Sequence, residues 1–172
     1  MTEAQGGFRP PWRRGRRTEA VPEPVPPVLL WHVASVEVGP RAVRRAREAM
    51  TACLPAAGVT PGSAFADTVL LALSELVTNV VRHAPRSPVT DVGLSVAAGQ
   101  LIVSVTDAEP RLPDLTPEGM GAGLWMVTEL AAAHGGGVGA RPAADHDGKV
   151  VLVRFGLPSY DGNTTRSGRN IS

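Results

Sequence analysis

Apolar residues change their period along this chain, and the changes divide it into elements. "VLLWHVA", beginning at Val28, is a short apolar run that predicts a first strand. From Pro40 to Leu54 the apolar residues fall at 43, 46, 50 and 54, with arginines on the other face, which is the stripe of an amphipathic helix. "PAAGVTPGS" breaks that helix. A second helical pattern runs from about Ser63 to Ala84 and stops at Pro85. The period then drops to two. Val89 to Ala97 and Leu101 to Asp107 predict strands, and the short "AAGQ" between them predicts a hairpin. Residues 108–120, "AEPRLPDLTPEGM", hold three prolines and no period, so they predict a loop. A third helix follows from about Leu124 to His134, then a weak strand and turn in "GGGVGARPAADHDG", then a closing strand in "KVVLVRFGL". Strands next to one another with three helices to cover a sheet face predict an α+β fold. The expected form is a two-layer α/β sandwich, with a mixed, mostly antiparallel sheet covered on one face by helices.

Composition separates the ends from this body. Residues 1–27, with "FRPPWRRGRRTEAVPEPVPP", are rich in Arg and Pro and poor in aliphatic residues. Such a segment buries too little apolar surface to offset its ordering entropy, so a disordered tail is expected, as for residues 159–172. Residues 28–158 are the expected domain. Within 172 residues, 43% hydrophobic content is enough for a core. A net charge of +1 gives no global case for nucleic acid, although "RRGRR" could touch an acidic partner. The single cysteine, Cys53, excludes an internal disulfide framework and suits a reducing cytosol. No apolar run approaches a membrane span of roughly 20 residues, and the arginine-bearing start lacks the apolar core of a secretory signal. A cytoplasmic protein without a membrane segment is the expectation.

Three features carry candidate chemistry. At about 100° per residue, Glu75 and Asn79 share the polar face of the second helix, Arg82 lies close to Glu75, and His83 falls at the margin. A solvated face would show the same line, but an Asn inside a helix competes for backbone hydrogen bonds and is less usual there. Asp107 ends the strand "LIVSVTD" before an irregular loop, a place for a ligand contact or for a turn cap. Gly119, Gly121 and Gly123 alternate just before a helix start, where free N–H groups suit phosphate; a mobile hinge would read the same way. The loop is not a P-loop, since no GxxxxGK[ST] is present. It is not a Rossmann fingerprint either, because 11 residues separate Asp107 from Gly119.

Taken together these residues resemble the GHKL ATPases, the superfamily of gyrase and the histidine kinases. Glu75, Asn79 and His83 look like the ExxxNxxxH of its N-box, Asp107 like the aspartate of its G1 box, and "GAGLWMV" like its G2 box. More narrowly, "LALSELVTNVVRHA" is similar to the anti-sigma-factor serine/threonine kinases, small regulators made of this domain alone. The resemblance spans residues 28–158 and implies a Bergerat-type sandwich that binds ATP and Mg²⁺.

Roles follow from the resemblance. Glu75 would be the general base acting on a seryl hydroxyl or a water. Asn79 would hold Mg²⁺, an ion that takes few protein ligands alongside phosphates and water. Arg82 and His83 would stand near the phosphates or brace the loop over them. Asp107 would accept from the adenine amino group, and Gly119, Gly121, Gly123 and the Leu124 amide would meet the phosphates. The implied partners are a sigma factor and an antagonist protein phosphorylated on serine, with a homodimer as the assembly common among relatives. The G1 segment departs from the usual DxGxG, reading "DAEPR" with Glu109 in place of a glycine, and Val150 stands where many relatives offer a threonine. Those departures support an alternative, a partner-binding module of the same fold without turnover.

Overall fold

The computed structural model describes residues 28–158. The tails expected at residues 1–27 and 159–172 lie outside the described residues. Strand β1 (Val28–Glu37) leads to helix α1 (Ala42–Cys53), a short 3-10 turn (Leu54–Ala57) and helix α2 (Ala64–His83). Strands β2 (Val89–Ala97) and β3 (Gln100–Asp107) follow, then α3 (Ala122–Ala133), β4 (Gly137–Pro142) and β5 (Lys149–Gly156). The segment between β3 and α3 is irregular, as its prolines predict.

The five strands form one sheet in the order β1-β2-β3-β5-β4. Every pairing is antiparallel, so the sheet is wholly antiparallel rather than mixed. The reason lies in the return path. β4 and β5 make a hairpin, and β5 inserts between β4 and β3, opposing both. The β2–β3 connection is a two-residue turn at Ala98 and Gly99, with φ of 50° and 74°. Left-handed backbone at both positions matches the twist of a tight hairpin, and Gly99 adopts it without a steric cost.

The helices cover one sheet face. In β3 the alternation is strict, and Leu101, Val103, Val105 and Asp107 all turn inward and are buried. In β5, Val151, Val153 and Phe155 do the same. Leu54, Val69, Leu73, Val77 and Val127 meet them from the helices. Phe65 and Phe155 pack edge to face at 6.1 Å, with His134 against both.

α2 is the central helix. Ser63 caps it by accepting from the Ala66 N–H at 3.2 Å, Asp67 sits in its first turn, and Arg82 and His83 occupy its last, each favourable to the helix dipole. An 18-residue window of this 20-residue helix has a mean hydropathy of 1.5, enough by length and composition to cross a membrane, contrary to the expectation that no run approaches that length. Half of that stretch is buried under the sheet and the other helices, which is the position of a core helix.

Candidate functional site

A cavity of about 860 Å³ opens at the end of the sheet where β3 and β5 meet α2, the irregular loop and the start of α3. That volume suits a nucleotide-sized ligand. From α2 its wall takes Leu76, Asn79, Val80 and His83, the i, i+3, i+4, i+7 stripe of one helix face. With Glu75 as origin these lie at about 100°, 40°, 140° and 80°. The cavity therefore faces a direction rotated away from Glu75. His83, marginal by sequence, is on the wall; Arg82 is exposed and is not on it. Leu76 and Val80, both members of the buried core, supply the apolar part of that wall.

Glu75 is half-buried and stands just behind this wall. A β-carbon on Gly123 would collide with Glu75 Oε2, so α3 approaches the carboxylate as closely as a bare glycine allows. A Gly123→Ala protein is expected to fold as stably as the parent, since Ala is the better helix former by about 1 kcal/mol and the group in its way is the tip of a flexible side chain. It is also expected to displace the Glu75 carboxylate and so to reduce any catalysis that depends on it. Thermal melts and turnover measured on the same preparation check both halves.

Asp107 owes its aim to the alternation of β3, which carries the side chain inward after Val105. It is 4% exposed. Neighbouring hydrogen bonds fix the strand end: Ser87 Oγ accepts from the Ala108 N–H at 2.7 Å, and Thr90 Oγ1 donates to the Thr106 carbonyl at 2.8 Å. Asp107 Oδ1 accepts from the Glu109 N–H at 2.8 Å and from Lys149 Nζ at 2.9 Å. Lys149 Nζ donates in addition to the Glu109 carbonyl at 3.0 Å. This lysine is a charged site residue that the sequence does not single out. It is the register partner of Asp107 across β3 and β5 and begins the inward alternation that continues with Val151. Lys149 and Val151 line the cavity, whereas Val150, the residue compared with the threonine of relatives, does not.

The glycine segment closes the other side. Gly119, Gly121, Gly123 and Leu124 line the cavity. Gly121 is the N-cap residue of α3, with no side-chain cap and no acidic residue in the first turn. The first helical bond runs from the Trp125 N–H to the Gly121 carbonyl at 2.9 Å. The N–H groups of Ala122, Gly123 and Leu124 are thus the orphan donors of a helix start, with the positive end of its dipole beside the cavity. The preceding loop is braced by Asp114, whose Oδ1 accepts from the Thr116 N–H at 2.8 Å and from Thr116 Oγ1 at 2.7 Å. The backbone bond from Thr116, then its hydroxyl, hold the Asp114 carboxyl below its ordinary value of 3.8.

Among the described residues no three His, Cys, Asp or Glu converge as a ligand set. A cation beside Asn79 would complete its shell with phosphate oxygens and water, the arrangement Mg²⁺ favours. The half-buried Asn79 amide on the wall and the donor-rich α3 start fit that arrangement.

Among solved structures, the histidine kinase domain of a blue-light activated histidine kinase from Erythrobacter litoralis EL346 shares 28% identity over 54% of this chain and 45% of that one, at a TM-score of 0.43. Full-length ShkA in complex with AMPPNP shares 20% identity over 72% of this chain and 31% of that one, at 0.47. The Acinetobacter baumannii histidine kinase AdeS shares 16% over 76% and 70%, also at 0.47. The chain thus spans less than half of the first two. No curated protein sequence matches it. The model of the histidine kinase-like ATPase domain matches residues 36–151, from the end of β1 to β5, which includes the N-box helix, Asp107, the glycine segment and Lys149. The chain belongs to the histidine kinase-like ATPase domain family.

Proposed function

We propose that this protein binds ATP with Mg²⁺ in the cavity and transfers the γ-phosphate to a serine of an antagonist protein, and that it sequesters a sigma factor. One observation carries the nucleotide part. An acceptor carboxylate (Asp107), an amide on the α2 wall (Asn79) and an uncapped helix start (Gly121–Leu124) surround a single space of about 860 Å³. The first suits an exocyclic amine, the second a hydrated cation, the third phosphate oxygens. The serine-kinase and sigma-factor parts rest on the resemblance of residues 71–84 and of the glycine segment to anti-sigma-factor kinases.

Phosphoryl transfer needs positioning and charge neutralisation more than covalent chemistry. Glu75 would take the seryl proton as the serine oxygen bonds to the γ-phosphorus. The bond from that phosphorus to the β–γ bridging oxygen breaks, and ADP leaves. The α3 N–H groups and His83 would stand by the phosphate charge, and Asn79 would hold Mg²⁺, which neutralises it. Arg82, exposed at the end of α2, is free to meet a partner protein rather than the nucleotide.

Calorimetric titration with ATP and Mg²⁺ tests the nucleotide reading. Saturable 1:1 heat is expected, and ligand at 100 times Kd should add about 2.7 kcal/mol of stability, seen as a rise in Tm. Neither heat nor a rise would sink it. A second reading, partner binding with weak or absent turnover, is favoured by Glu109 where a glycine is usual. It expects nucleotide heat with little or no phosphate transferred to any serine.

A further inference from the structure

The Asp107–Lys149 pair lies on the cavity wall, and nothing in the roles set out above uses the lysine. Its side chain is only 12% exposed, and that of Asp107 only 3%. An ammonium carries three donors and no acceptor. Two are spent, on Asp107 Oδ1 and on the Glu109 carbonyl. Asp107 Oδ1 already accepts twice, from Lys149 and from the Glu109 N–H. What the pair still has to offer is one acceptor, Oδ2, beside one donor, the third Nζ–H.

We infer that Lys149 is a base-reading residue, donating to N1 of adenine while Asp107 Oδ2 accepts from the N6 amino group. The inference rests on the ATP reading and deepens it. The edge of adenine presents one donor, N6–H, next to one acceptor, N1, in the order that the pair matches. Guanine reverses that order, with O6 an acceptor and N1–H a donor, and adds a second donor at N2. In the orientation that satisfies adenine, guanine sets O6 against the carboxylate and N1–H against the ammonium. Lys149 thereby adds, from a side chain, a reading of N1 that Asp107 alone cannot provide, since a carboxylate reads only the donor. The same pair fixes the carboxylate: three groups (Lys149, the Glu109 backbone and β3) hold it in one orientation before the base arrives.

Titrations of the full chain with Mg²⁺ and three nucleotides test this: ATP, 1-deaza-ATP, in which N1 becomes C–H, and GTP. ATP should bind roughly tenfold or more tightly than either of the others, the loss expected for a hydrogen bond to a charged group. In Lys149→Met the ratio between ATP and 1-deaza-ATP should collapse to near one, which separates a lysine contact from a water that donates to N1. Equal binding of ATP and 1-deaza-ATP by the unaltered protein would overturn the inference, whether or not the variant folds. So would an unchanged ratio in Lys149→Met, or tighter ATP binding by it, which would make the lysine a plug. If ATP binds but is not distinguished, only the role of Lys149 falls; if ATP does not bind at all, the nucleotide reading falls with it.

Discussion

On the proposed reaction, a Glu75→Ala protein will bind Mg·ATP with nearly unchanged affinity and will transfer its γ-phosphate about 10²–10⁴-fold more slowly, the range that a positioned general base contributes. The separation follows from where the residue stands. The cavity wall on α2 is built from Leu76, Asn79, Val80 and His83, and the Glu75 carboxylate sits beside it, against Gly123. Removing it deletes no wall and no donor to phosphate. It does delete a carboxylate that stands against Gly123 in the first turn of α3, where the terminal phosphate is expected. Glu75→Gln distinguishes basicity from shape: it fills the same volume, cannot take a proton, and should lose as much as Ala. Transfer of labelled γ-phosphate to a partner serine, measured beside calorimetric affinity, checks both. Equal transfer by the Ala variant would remove Glu75 from the chemistry. His83→Ala, on the wall, should lower affinity, whereas Arg82→Ala, off it, should leave affinity unchanged.

Much of this framework is legible in local sequence, because its causes are local. Ser63 and Pro85 bracket α2, and the helix occupies Ala64–His83. "LIVSVTD" alternates, so the inward aim of Asp107 can be read from Leu101, Val103 and Val105. The hairpin follows from its short glycine-bearing connection. Three things are not legible, each for a stated reason. The phase of α2 relative to the cavity depends on what packs against it, so choosing Glu75 as the centre of the polar face puts His83 at the edge, although His83 stands on the cavity wall. The direction of β5 depends on the hairpin it makes with β4, so a mixed sheet is an open expectation that the strand order closes. Lys149 lies 42 residues from Asp107. The two meet because β5 pairs with β3 across an intervening helix and strand, and no pattern within "KVVLVRFGL" announces that partner. The glycines, by contrast, are visible in sequence while their surroundings are not: at Gly123 the Glu75 carboxylate stands where a β-carbon would be.

Lys149→Met alone should destabilise the fold by about 3–5 kcal/mol, and Asp107→Asn combined with Lys149→Met should recover most of that loss. The asymmetry is a matter of solvation. Asp107 and Lys149 have side chains 3% and 12% exposed, and the pair is held at 2.9 Å. A single substitution at Lys149 leaves a largely buried carboxylate with only the Glu109 N–H among its protein donors. In the double variant no charge is buried, and the side-chain oxygen of the introduced amide still accepts from that N–H. As an intact ion pair the two residues contribute little net stability, because the attraction between them is set against the cost of drying both. A domain whose whole stability is of order 5–15 kcal/mol gives up about a fifth or more of it in the single variant. Urea unfolding of the parent, both single variants and the double variant measures the coupling. Additive losses would show that the two charges do not depend on each other for burial. A large favourable coupling would show that each charge depends on the other for its place on the cavity wall, so that the carboxylate is held fixed beside the ammonium at a cost in tolerance to substitution.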